Sequence, residues 1–318
     1  MPMQALPEGM TVLERGWLSS NNVLFHQPGH PAALVDSGYC SHAEQTVELV
    51  EQALGGQPLE LLLNTHLHSD HCGGNAALQQ HYPELVTAIP PGEAAAVRDW
   101  DEAALSYAAT GQECPRFVFQ RLLQPGETIA LGGRDWQVWS APGHDMHAVV
   151  LFEPASRTLI SGDALWADGF GVVFPELEGA DAFGEVAATL DLIEQLQPLV
   201  VVPGHGPVFD DVPAALAAAR RRLAGFLLDP ARHAGHAARV LLKFRLLDWR
   251  RQQLGALLAW AGATAYLRTV HRRYFPSLPF DAWAGVLVAE LERSGAARRE
   301  GAWVLDMANT LPARSPGN

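Results

Sequence analysis

Three histidines and one aspartate fall within six residues of this chain, in Thr65-His66-Leu67-His68-Ser69-Asp70-His71-Cys72-Gly73-Gly74. The segment before them, Leu59 to Asn64, is short and mostly apolar and reads as a buried strand. The segment after them, Gly73 through Gln80, reads as the start of a helix. The cluster therefore sits on a strand-to-helix turn at the carboxyl end of a strand. Open α/β sheets place their ligand sites at such ends.

Neutral imidazole and ionised carboxylate suit zinc and its neighbours as ligands. On extended backbone, alternate side chains share a face, so His66 and His68 can reach one ion together. Asp70 and His71 follow where the chain turns and can point towards a second ion. A solvated, His-rich loop is the plain alternative. Four ligand-type side chains between a strand and a Gly-Gly turn weigh against it.

Three further elements follow in order: Pro142-Gly143-His144, Ser161-Gly162-Asp163 and Pro203-Gly204-His205-Gly206-Pro207. With the His-x-His-x-Asp-His stretch, they give roughly residues 10 to 210 a resemblance to the metallo-β-lactamase superfamily. The resemblance implies an α/β fold, the four-layer αββα sandwich of that superfamily. It also implies two divalent metal ions, zinc foremost, with iron or manganese also fitting such ligands. His66, His68 and His144 would hold the first ion; Asp70, His71 and His205 the second; Asp163 would bridge them. Asp70 would also orient the attacking hydroxide or carry its proton, which makes it the catalytic candidate. Val35-Asp36-Ser37-Gly38 resembles the family's Asp-x-Gly element, so Asp36 is either a support for a ligand histidine or a turn residue before a helix.

Composition limits the class. The chain has 318 residues and 48% apolar residues, enough for a large core and two domains. No apolar run approaches the roughly 18 residues of a spanning helix, so no membrane partner is expected. The start has neither a basic nor an apolar secretory region. Three cysteines without a Cys-x-x-Cys pair favour reduced thiols and a cytoplasmic protein. Cys72, next to a ligand, is either an oxidation sensor or a small buried residue.

Charge divides the chain. Residues 1–210 carry 6 Arg against 27 Asp plus Glu, a net −21; residues 211–318 carry 16 Lys plus Arg against 8 acids, a net +8. The boundary is expected near residue 210, with a catalytic domain over 1–210 and a C-terminal domain over 211–318.

Helical spacing predicts a helix after Ser41, another over 181–196, and five in the C-terminal part: 212–228, 233–249, 251–261, 264–273 and 280–291. Arg298 to Leu305 reads as a basic hairpin. Helices followed by such a hairpin resemble the winged-helix domain attached to some metallo-β-lactamase-fold hydrolases. A dimerisation or lid domain is the competing use, so homo-oligomers through this part are in view. Residues 99–120, with Trp100, Tyr107, Phe117 and Phe119, are offered as a flap over the site. The loop after Asp163, with Trp166 and Phe170, is the candidate wall of a substrate pocket.

Two functions from different classes follow. The first is a dinuclear metal-dependent hydrolase of a small thioester or ester, similar to glyoxalase II, working through a metal-bridging hydroxide; lactones fall in the same class. Gly206-Pro207 departs from the aromatic-containing segment that typical glyoxalase II enzymes carry there. The second is a metal-dependent endoribonuclease or other phosphodiesterase that binds nucleic acid through the basic C-terminal domain. The acidic catalytic part opposes it.

Overall fold

The computed structural model describes residues 5–307. Its first sheet runs in the order β1 (Met10–Leu13), β2 (Asn22–Phe25), β3 (Ala32–Val35), β4 (Leu59–Leu63), β5 (Val86–Ile89) and β6 (Arg121–Leu122). The first two pairings are antiparallel and the remaining three parallel. The second sheet contains β7 (Thr128–Leu131), β8 (Arg134–Ser140), β9 (Val149–Glu153), β10 (Thr158–Gly162) and β11 (Val200–Pro203), in the order β11-β10-β9-β8-β7. Only β10 and β11 pair in parallel. A third sheet, β12 (Arg251–Gln253), β13 (Ala297–Glu300) and β14 (Trp303–Asp306), has the order β12-β14-β13.

The helices are α1 (Ala43–Leu54), α2 (Ser69–Cys72), α3 (Asn75–His81), α4 (Ala94–Asp99), α5 (Tyr107–Thr110) and α6 (Phe174–Glu178), then α7 (Ala182–Leu196), α8 (Val212–Leu228), α9 (Pro230–Trp249), α10 (Leu254–Ala263), α11 (Ala265–Tyr274) and α12 (Phe280–Arg293).

Strand alternation builds the layers. In β2, Val23 and Phe25 join Leu63, Trp136, Val138, Leu151 and Ile160 in a core between the two large sheets. Leu24, between them in sequence, turns the other way and packs with Leu34, Leu62, Val50 and Leu54 under α1. On the far face of the second sheet, Val150, Phe152, Leu159 and Val201 pack against Phe183, Val186, Leu190 and Ile193 of α7. Helices, sheet, sheet, helices is the expected four-layer αββα sandwich. α1 ends where Gly55 takes the left-handed conformation, φ 59°. α8 starts where the Asp211 side chain accepts from the Ala214 amide.

The chain divides into two compact units, residues 1–230 and 231–318. Charge changes sign near residue 210, but α8 belongs to the first unit. Its Val212, Ala215, Leu216, Ala219, Leu223 and Phe226 lie in the same core as α7 and the second sheet. The second unit holds most of α9, then α10 to α12 and the third sheet. The helix expected from Arg251 begins instead at Leu254. Arg251 to Gln253 extend to pair with Leu305 to Trp303, and the Arg251 guanidinium sits 4.1 Å over the Trp303 ring. Arg298 to Leu305 lie on the antiparallel hairpin of β13 and β14.

The aromatics of residues 99–120 take the commoner use, packing into a core. Leu105, Tyr107, Cys114 and Phe117 are buried in one cluster with Leu67, Cys72 and Ile89, and Trp100 packs against it. Aromatic area of that size gains more from a core than from solvent. No helix of the described residues is long and apolar enough to cross a membrane.

Candidate metal centre

Every candidate ligand lies at the carboxyl end of a strand, in the loop beyond it or, for Asp70 and His71, in the short helix α2 that follows. His66, His68, Asp70 and His71 follow β4, His144 lies between β8 and β9, Asp163 directly follows β10, and His205 follows β11. The loops from both sheets meet at one place. Their side chains form three overlapping groups: His66, His68 and His144; His66, His71 and Asp163; and Asp70, His71 and His205.

The geometry separates two half-sites. In one, His68 Nδ1 lies 2.8 Å from His144 Nε2. In the other, His205 Nε2 lies 3.1 Å from Asp70 Oδ2. Asp163 stands between them. Its Oδ2 is 3.4 Å from His144 Nε2, while its Oδ1 is 3.4 Å from His71 Nε2 and 3.9 Å from His205 Nε2. Ligands about 2.0–2.1 Å from a tetrahedral zinc stand about 3.3 Å apart, so this spacing matches a metal's donor set. Two of the donor atoms, His66 Nε2 and His71 Nε2, are buried without a hydrogen-bond partner. His66, His71, His144, Asp163 and His205 are all buried.

Electrostatics agrees with that chemistry. Burial, reinforced by the neighbouring imidazoles, holds His66 well below its ordinary value. Burial and the nearby His68 push His144 down to about 4. Both rings are therefore neutral at pH 7, the form that binds metal. Burial opposes ionisation of Asp163, yet His71 and His205 hold its carboxyl well below the carboxylate range. Burial likewise opposes a charge on His71, but Asp163 and Asp36 raise it well above its usual value. Carboxylates on both sides of one imidazole favour a cation there, which a metal ion supplies.

Supporting contacts fix the ligand rings. Asp36 accepts from the Thr65 amide and hydroxyl at 2.8 Å each, and its Oδ2 lies 2.8 Å from His71 Nδ1. To reach all three it takes φ 60°, a conformation few non-glycine residues adopt. Asp36 thus braces the candidate ligand His71 and the turn that carries it, more than a plain turn residue would. His144 Nδ1 is 2.5 Å from the Val172 carbonyl, which fixes its ring. Asp145 Oδ2 stands 3.8 Å from His68 Nε2. Gly204 permits the close approach of the strand ends: a Cβ there would lie 2.3 Å from Asp163 Oδ1.

One sequence expectation changes, and the choice left open at Cys72 is decided. Phe170 is 2% exposed and packs in the core beside Phe226, so it lines no pocket. Cys72 is fully buried, with its Sγ 3.3 Å from the Tyr107 hydroxyl and 3.8 Å from Cys114 Sγ. Burial, then Cys114, pushes its thiol well up, so it is the small buried residue and not a reactive thiolate.

Two features escaped sequence reasoning. Ser20 and Asn21 tie the site's halves together: the Ser20 amide donates to the Asp70 carbonyl, and Asn21 donates to the Gly204, Pro203 and Gly206 carbonyls. The polar run Ser19-Ser20-Asn21-Asn22 before an apolar strand was the available signal. Trp17 stacks on His205 with centroids 5.5 Å apart and planes 11° apart. No local pattern marks it.

Comparison with known proteins identifies a family. A family model described as the metallo-beta-lactamase superfamily matches residues 15–205. A hydroxyacylglutathione hydrolase of Synechococcus sp. (strain JA-3-3Ab) is 32% identical over 59% of this chain and 64% of its own length. An acyl-coenzyme A thioesterase of Gallus gallus is 29% identical over 49% of this chain and 59% of its own. The chain thus spans less than two thirds of these relatives. A metallo-beta-lactamase family protein from Thermus thermophilus superposes with a TM-score of 0.57 at 20% identity, over 95% of this chain and 100% of that one, a likeness of fold.

Proposed function

The chain belongs to the metallo-beta-lactamase superfamily, and from that premise we propose that it is a dinuclear metal-dependent hydrolase of a small thioester or related ester. The observation that carries this is the position of Asp163, one oxygen facing His144 and the other facing His71 and His205. His66, His68 and His144 would hold one divalent ion and Asp70, His71 and His205 the other, with Asp163 placed to serve both. Zinc suits this donor set; iron or manganese would also fit it. Two such ions would lower the pKa of a water towards about 7 and polarise the substrate carbonyl.

The chain's own groups orient and move protons. Asp70 is the catalytic candidate. Burial disfavours its charge, but its contact with His205 and the nearness of His71 keep its carboxyl below the usual range. It therefore stays ionised at neutral pH, with Oδ2 against His205, as a carboxylate that orients a water and takes its proton must be. Asp36 and the Val172 carbonyl keep the His71 and His144 rings from turning.

A thioester as substrate class is supported by the two relatives, whose names denote thioester hydrolases. The nuclease alternative draws on the basic C-terminal part, yet six of the cations there are engaged by acids. Arg239, Lys243, Arg250, Arg293, Arg298 and Arg299 each pair with an acid. α12, the helix a winged helix would lay in a groove, carries Asp281, Glu290 and Glu292 against one Arg293. A phosphate backbone calls for free cations. The three free thiols suit a reducing, cytoplasmic setting.

The test is a metal-supplemented panel: S-D-lactoylglutathione, an acyl-CoA, a homoserine lactone and a single-stranded RNA, each with a chelated control. Chelator-sensitive thioester or lactone turnover is expected. RNA cleavage alone would replace this reading with the nuclease.

A further inference from the structure

Beside the second half-site stands an aromatic corner that the ligand set does not require. Trp17, in the segment between β1 and β2, is 52% exposed. Its ring lies parallel to the His205 imidazole, and meets the Trp166 ring edge-on at 5.4 Å and 70°. Trp166 is edge-on to the same imidazole at 5.6 Å and 81°. Three rings from three separate loops thus make a corner, and the Trp17 indole in it is half exposed.

The two indoles are held differently. Trp166 Nε1–H donates to Asp163 Oδ1 at 3.2 Å, and its backbone amide donates to the Gly169 carbonyl at 2.7 Å. Its ring orientation is therefore set by the carboxylate between the two half-sites. Trp17 stacks on His205 yet keeps about half of its surface in solvent, at 52% exposure. A large ring left half in water forgoes the gain that burial would give it, and contact with an apolar ligand group recovers that gain.

We propose that Trp17 and Trp166 form the acyl-chain subsite of this centre, receiving the apolar group attached to the scissile carbonyl. The subsite rests on the thioester reading above. It takes the acyl half because the thiol halves named for the relatives, glutathione and coenzyme A, are polar and charged, whereas this corner is built of ring faces. The favoured substrates are thioesters of medium-chain or aromatic acids rather than of short hydroxy acids. Trp166 has a second part as a positioning residue, since its N–H fixes Asp163.

The test separates the two indoles and uses the full chain. A series of thioesters of one thiol, with acyl chains from two to ten carbons, is assayed with the parent, Trp17→Ala and Trp166→Phe. In the parent, kcat/KM rises with chain length, by up to about fourfold per buried methylene. In Trp17→Ala the rise flattens, while metal affinity measured by chelator competition stays at the parental value. In Trp166→Phe the ring remains and the rise persists, but metal affinity falls about tenfold because Asp163 has lost its donor. Independently of turnover, an S-octyl thioether of the same thiol binds the parent at least tenfold more tightly than the S-methyl thioether, and Trp17→Ala abolishes the difference. A parental chain-length dependence in Trp17→Ala, or equal binding of the two thioethers, overturns the subsite. Thioether discrimination that depends on Trp17 in a protein inert to every thioester upholds the apolar subsite and removes only the thioester reading.

Discussion

Asp36 Oδ2 and His71 Nδ1 lie 2.8 Å apart, both side chains buried, on segments 35 residues apart in sequence. The same carboxylate holds Thr65, the residue before the first candidate ligand, so one group braces both ends of the candidate ligand turn. Replacing Asp36 with Ala is expected to weaken metal binding by 10- to 100-fold, on the order seen for such supporting carboxylates. Competition against a chromogenic chelator reads this directly. Parental affinity would show that Asp36 does no more than shape a turn.

The two half-sites should be separable. In Asp163→Ala, both ions and the activity are expected to go together. In His205→Ala, one ion is expected to remain, since His66, His68 and His144 keep their group. Elemental analysis of the purified variants checks this. Full metal content and rate in Asp163→Ala would contradict the bridging role, and equal loss of both ions in His205→Ala would contradict the assignment of that ligand.

Much of this centre is legible in the sequence, for a definite reason. Metal ligation needs particular side chains at particular spacings, and strand and turn geometry fixes those spacings locally. His66 to His71 meet that condition within one turn; Pro142-Gly143-His144 and Pro203-Gly204-His205 carry their own turn chemistry. The layers are legible too, because β2 alternates Val23, Leu24, Phe25 between two cores. Trp17 and Asn21 were hidden because their partners, His205 and the Gly204 carbonyl, are about 180 residues away. β12 was hidden for a similar reason. Three residues before a helix read as helix until Val304 and its neighbours pair with them.

Glu93 supplies a pH prediction. Burial, then the nearby Asp145 carboxylate, pushes its carboxyl up to about 9, and Oε2 is buried without a partner. Unfolded, it would titrate at about 4.3. Between those values the folded protein holds a proton that the unfolded chain has lost, so stability falls as pH rises through that window. Glu93→Gln removes this dependence. It should be more stable than the parent, by little at pH 5 and by on the order of 1–3 kcal/mol at pH 8. Thermal unfolding at both pH values tests it; a gap that does not widen would contradict the buried, protonated Glu93.

In the second unit, Asp306 receives both Lys243 and Arg250, and its side chain is 2% exposed. Lys243 also donates to the Ala296 carbonyl at the start of the hairpin. Removing the carboxylate strands a partly buried ammonium. Asp306→Ala should therefore destabilise this unit by about 3 kcal/mol. Hydrogen exchange of β13 and β14 amides reports it; unchanged protection would mean that the pair contributes nothing.

The most direct measurement is thioester hydrolysis followed while metal-free protein is titrated with zinc, with bound ions counted at each step. Activity is expected to be absent without metal and to reach its plateau at two ions per chain. Full activity without metal, or no thioester turnover with two ions bound, would contradict a dinuclear hydrolase.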